Sequence, residues 1–149
     1  MRTLVAALVC AATLGACALA PSRDLYAGYS QNFGTYVANS SVDTFCLLPR
    51  LRYAIWRIES HFGRKVVVTS GYRDPEHNTD VGGKDDSYHM KCMAADIFIP
   101  GVAKSSLIAF AYHEGSIGGL GCYPGRTFIH IDVRDRPSGW THPVTFSGC

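Results

Sequence analysis

The chain has 149 residues, enough for one ordinary domain and too few for two cores of normal size. Its 47% hydrophobic and 17% charged residues exclude a disordered chain. A formal charge of +2, with 14 scattered basic residues, excludes a nucleic-acid footprint and leaves little long-range steering, so function has to sit in a local site.

Residues 1–16 read MRTLVAALVCAATLGA. Arg2 supplies a positive start, and the apolar run from Leu4 to Ala16 falls short of the ~20 residues that span a bilayer. This is the form of a secretory signal. Leu14-Gly15-Ala16-Cys17 has the form of a lipobox, which predicts lipidation of Cys17 and anchoring on a membrane surface. Ala18-Leu19-Ala20 offers ordinary cleavage instead. Either way the expected location is the periplasm or cell envelope. Six cysteines in so short a chain agree with an oxidising compartment.

Residues 21–42 are rich in Ser, Gly, Asn and Tyr and lack periodicity, and the stretch 17–42 predicts a tether or lead-in, with the folded domain over 43–149. Over 49–62, Leu51, Ala54, Ile55, Ile58 and Phe62 recur at helical spacing between Pro49 and Gly63. Val66–Thr69 is β-branched and predicts a strand. Residues 70–88 predict a long polar loop, usually a functional one. Ala94–Ile99 predicts a second strand, and 103–114 a helix with Leu107, Phe110 and Ala111 inward. Gly118, Gly119 and Gly121 read as tight turns, and Thr127–Arg134 as a third strand. The order implies an α+β fold: a small, mainly antiparallel sheet with helices packed on one face.

In the last strand Thr127, Ile129, Ile131 and Val133 share one face, and Phe128, His130, Asp132 and Arg134 the other. Asp96 lies inside an apolar strand, where a carboxylate is costly unless paired or metal-bound. His89, Asp96 and His130 make a neutral-nitrogen, anionic-oxygen, neutral-nitrogen set. Three such ligands with a fourth position open is the pattern of catalytic zinc. An Asp96–Arg73 ion pair with unrelated histidines is the competing arrangement.

The segments Ser70-Gly71-Tyr72-Arg73, Pro75-Glu76-His77-Asn78, Val81-Gly82-Gly83, Ser87-Tyr88-His89, Ala94-Ala95-Asp96-Ile97 and Phe128-Ile129-His130-Ile131-Asp132 follow one another in order. Over residues 45–141 the chain resembles the zinc D-Ala-D-Ala carboxypeptidase and murein endopeptidase family, in its short bacterial branch, which shares its fold with the signalling domain of hedgehog proteins. The resemblance implies a Zn2+ ion on His89, Asp96 and His130. It makes Arg73 a contact for the substrate carboxylate or carbonyl oxygen, and Ser87 a hydroxyl on the site loop. Relatives often place an acid just before the last ligand histidine. Tyr123-Pro124-Gly125-Arg126-Thr127 has none. Asp132 is then either the catalytic base or a partner that orients a ligand histidine.

Cys46, Cys92, Cys122 and Cys149 allow three disulfide connectivities. The pairs Cys92–Cys122 and Cys46–Cys149 are expected, the first stapling the metal loop to the sheet. The implied function is hydrolysis of D,D or D,L peptide bonds in peptidoglycan stem peptides or cross-bridges, by a monomer that binds no nucleic acid. An L-Ala-D-Glu peptidase of the endolysin kind and a non-catalytic zinc protein that binds cell wall are the alternatives.

Overall fold

The structure, a computed structural model, describes residues 23–149. The expected signal segment and Cys17 lie outside the described residues. No helix among the described residues is long and apolar enough to cross a membrane.

A 3-10 turn, Arg23–Tyr26, leads into strands β1 (Ser30–Asn32) and β2 (Thr35–Val37). Helix α1 (Pro49–Phe62), strand β3 (Val67–Ser70), helix α2 (Pro75–Asp80) and strand β4 (Ala94–Phe98) follow. Helix α3 (Lys104–His113) and strands β5 (Gly119–Gly121), β6 (Ile129–Asp132) and β7 (Val144–Phe146) complete the chain. The strands form one sheet in the order β1-β2-β3-β4-β6-β5-β7. Its neighbours are antiparallel except β2 with β3 and β5 with β7.

The core follows the predicted periodicities. Pro49 starts α1, and Gly63 closes it in the left-handed region at φ 60°. Leu51, Ala54, Ile55 and Ile58 point inward, as do Leu107 and Ala111 of α3. They meet Val66, Val68, Ala95, Ile97, Ile129, Ile131 and Val133 in one buried cluster. The opposite face of β4 and β6 is left for Asp96, His130 and Asp132.

Three expectations are corrected. The stretch expected as lead-in contributes strands β1 and β2 to the sheet. Tyr26 and Tyr36 pack at 4.7 Å, Tyr29 packs on Phe98 at 5.7 Å, and Tyr26 donates to the Lys65 carbonyl at 2.8 Å. Three-residue strands are too short for alternation to register in the sequence. The loop over 70–88 holds a short helix, α2, capped by Asp74, whose carboxylate accepts from His77 N–H. Its residues are polar all round and carry no apolar period. Gly119 and Gly121 are strand residues rather than turns, for reasons given by the site.

The disulfide pairing is also corrected. The bonds are Cys46–Cys92 and Cys122–Cys149, not Cys92–Cys122 and Cys46–Cys149. Leu48 N–H donates to the Cys92 carbonyl at 3.0 Å, which brings the start of α1 beside the end of the 70–93 loop. β7 runs alongside β5, and Cys122 N–H donates to the Phe146 carbonyl at 3.3 Å. The following residues therefore carry Cys149 to Cys122, with a Cα separation of 4.9 Å.

Candidate metal centre

Sheet register builds most of the site. Ser70 stands opposite Asp96, Asp96 opposite His130, and His130 opposite Gly121. Directly opposed side chains share a face and lie close together. Asp96 and His130 therefore meet without help from any loop.

His89 arrives from the loop before β4. Its Nε2 lies 3.1 Å from His130 Nδ1 and 3.3 Å from Asp96 Oδ1. His130 Nδ1 lies 3.0 Å from Asp96 Oδ1. A tetrahedral zinc ion spaces its nitrogen and oxygen ligands about 3.3 Å apart, from bonds of about 2.0–2.1 Å. The three donor atoms fit such an ion.

The other ring nitrogens fix the tautomers. His89 Nδ1 is 2.7 Å from the Gly71 carbonyl, which can only accept. The proton is on Nδ1, and the Nε2 lone pair faces the other donors. His130 Nε2 lies 3.2 Å from Asp132 Oδ2, which holds the proton there and leaves Nδ1 to coordinate. In their neutral forms both histidines turn a ring lone pair towards the shared point.

The carboxylates are held ionised. Burial alone would raise the Asp96 carboxyl, but in the metal-free protein the His130 and His89 rings, when protonated towards it, outweigh burial and keep it well below the usual range. Burial likewise opposes ionisation of Asp132, yet His130 and Arg134 hold its carboxyl at about 2. Burial disfavours His130 as a cation, but Asp132 and Asp96 outweigh it and push its pKa up in the absence of metal.

Asp132 is fully buried. Arg134 Nε reaches both its oxygens, at 2.8 and 3.0 Å, and the His130 ring stands between it and the three converging donors. Of the two roles expected for Asp132, this geometry suits the one in which it orients His130. The sequence reading placed Arg134 on this strand face but missed its task. It neutralises Asp132, and its guanidinium lies 4.2 Å from the centre of the Tyr88 ring.

Gly119 stands opposite Asp132. A Cβ there would overlap the Asp132 carboxylate and come within 2.6 Å of Arg134 Nε. At Gly121 it would come within 2.6 Å of the Phe146 ring. Both glycines make room for the site.

Arg73 donates from Nη2 to Asp96 Oδ2 at 2.8 Å and from Nε to Ser70 Oγ at 2.8 Å. The Asp96–Arg73 ion pair thus coexists with the histidine pair, because each carboxylate oxygen serves one of them. Ser87 Oγ accepts His89 N–H at 3.3 Å and orders the loop. Of the remaining histidines, His77 lines the groove, while His61 stacks on Phe110 and His142 on Tyr112.

His89, Asp96 and His130 lie in a groove of about 1090 Å³, together with Arg73, Ser87, Tyr123, Phe128 and Phe146. A buried His-Asp-His set facing such a groove is a centre suited to a divalent metal ion and to a bound molecule. The sequence narrows that class: the chain belongs to the Peptidase M15 family, whose profile matches residues 28–132.

The chain is similar to the peptidoglycan L,D-endopeptidase MepK of Escherichia coli strain K12. The two are 34% identical over 110 residues, covering 68% of this chain and 57% of that protein. The same figures hold for MepK of Escherichia coli O157:H7 and of Shigella flexneri. The chain spans little more than half the length of these curated relatives.

Proposed function

We propose that the chain is a zinc-dependent peptidase that hydrolyses peptide bonds of peptidoglycan stem peptides or cross-bridges. The name L,D-endopeptidase borne by its relatives favours an L,D bond inside the cross-linked polymer over the D,D or D,L bonds expected from sequence. The observation that carries the proposal is the convergence of His89 Nε2, Asp96 Oδ1 and His130 Nδ1 within 3.3 Å of one another.

His89, Asp96 and His130 would hold the zinc ion. Bound there, it supplies Lewis acidity and lowers the pKa of water towards ~7. The protein's own groups prepare the site for it. Gly71 and Asp132 keep the ring protons off the coordinating nitrogens. Arg73 holds Asp96 from the side away from the histidines. The groove, larger than the ~300–1,000 Å³ of small-molecule pockets, suits a peptide that continues beyond the cleaved bond. The two disulfides fit an oxidising compartment, so we also place the protein in the cell envelope, held through Cys17.

Metal analysis of the purified protein, followed by digestion of purified muropeptides with mass-spectrometric readout, tests this reading. About one zinc per chain and chelator-sensitive cleavage are expected. A zinc-loaded protein that binds muropeptides and cleaves none would make it a non-catalytic wall-binding protein, a reading favoured by the lack of an acid over 123–127.

A further inference from the structure

The groove needs a hydrogen-bond donor for the oxygen of the bond being cleaved. Arg73 is largely committed elsewhere, since two of its three guanidinium nitrogens bind Ser70 and Asp96. Asp132 and Arg134 satisfy each other behind His130.

The wall formed by Tyr123 and Ser147 is built differently from the rest. Both residues line the groove. Both are non-glycine residues in the left-handed region, at φ 42° and 52°. Such strain persists only where the surroundings impose it, and it concentrates at functional positions.

Here the surroundings are named. Cys122, next to Tyr123, is bonded to Cys149, two residues beyond Ser147. Lys104 reaches across from α3 and donates to the Tyr123 and Arg126 carbonyls, both at 2.8 Å. The Tyr123 ring packs on Phe128 at 5.7 Å and on Phe146 at 6.3 Å. Phe146 in turn covers His130 at 5.3 Å. The bent, cross-linked segment thus carries Tyr123 into the wall of the groove that also holds His89, Asp96 and His130.

We propose that Tyr123 is a further catalytic residue, its phenolic O–H donating a hydrogen bond to the scissile carbonyl oxygen as negative charge develops there. The inference rests on the peptidase reading above. In the metal-free protein, burial and the nearby Asp96 carboxylate raise the phenol's pKa, outweighing Arg73 and Ser147, so the phenol keeps its proton there. Ser147, on the same groove wall and close enough to influence the phenol, is the positioning residue.

The test compares zinc-loaded wild type and Tyr123→Phe on purified muropeptides and measures binding of a phosphinate analogue of the cleaved bond. Loss of one such donor is expected to lower kcat about 100-fold. KM should stay within about threefold, since the contact forms mainly in the transition state. Phosphinate affinity should fall alongside kcat, while zinc content and melting temperature match wild type. An unchanged kcat, or a loss confined to KM, overturns the proposal. A zinc-loaded wild type that cleaves nothing overturns the peptidase reading instead. Should Tyr123→Phe fail to fold, Ser147→Ala takes its place: a severalfold fall in kcat at constant zinc content supports the proposal, and an unchanged kcat defeats it.

Discussion

Asp96 and His130 face each other directly across β4 and β6, and the same Asp96 carboxylate reaches Arg73 with its second oxygen. One side chain therefore joins a candidate metal ligand to a half-buried cation. Asp96→Asn keeps the shape and removes the charge. Zinc affinity should fall by more than the ~10–100-fold typical of changes behind the ligands. Competition titration against a chelating dye measures it, and retention of wild-type affinity would exclude Asp96 as a ligand.

Asp132→Asn separates the two roles weighed for that residue. As a partner of His130 it should cost about 10–100-fold in zinc affinity. The variant saturated with zinc should recover most of its hydrolytic rate. A zinc-saturated variant that stays inactive would restore the catalytic-base reading. Asp132→Ala should be worse for folding than Asp132→Asn, by about 1–3 kcal/mol, because it also removes the oxygen that accepts from Arg134. Chemical denaturation reads that difference.

Gly119→Ala tests the fit of the sheet around the Asp132–Arg134 pair. The added methyl meets the carboxylate, so either the pair or the strand must shift. A loss of about 1–3 kcal/mol is expected, with weaker zinc binding. Gly115→Ala is the control, because a Cβ there meets nothing within 4 Å.

The Cys46–Cys92 bond closes a span of 46 residues, and its second cysteine follows His89 by three positions. The double variant Cys46→Ser, Cys92→Ser should lose about 2–5 kcal/mol of stability. It should also lose zinc affinity, because the loop carrying His89 then loses its covalent tie to the segment before α1. Equal affinity in the two proteins would show that the loop is ordered without the bond.

Glu114 sets part of the acid limit of stability. Burial alone would raise its carboxyl, but the Ser116 N–H, the Ser116 hydroxyl and Arg57 outweigh it and lower the pKa. A carboxyl lowered on folding contributes fully above its unfolded value of about 4.3, and that contribution is lost as pH falls through the folded value. Glu114→Gln should therefore cost about 1 kcal/mol near neutral pH and progressively less in acid. Melting curves between pH 3 and 7 should converge at the acid end.

The core and the ligand set were legible because each rests on a local period or spacing. Alternation in β6 separates Ile129 and Ile131 from His130 and Asp132, and a carboxylate buried in an apolar strand has to be paired. The 14-residue helix α1 shows its buried stripe from Leu51 to Ile58. What escaped depends on partners distant in sequence. Cysteine pairing follows from where α1 and β7 dock, which no spacing encodes. Arg134 was visible beside Asp132, but its value lies in the depth at which that carboxylate is buried. The glycines opposite Asp132 and His130 resemble turn residues until the neighbouring strand is in place.

The row Ser70–Asp96–His130–Gly121 crosses four strands, and it closes only when β6 enters between β4 and β5. His89 and Asp96 are synthesised some three dozen residues before His130. A chain that ends before β6 therefore lacks the third donor atom, and the site is complete only when most of the domain is present.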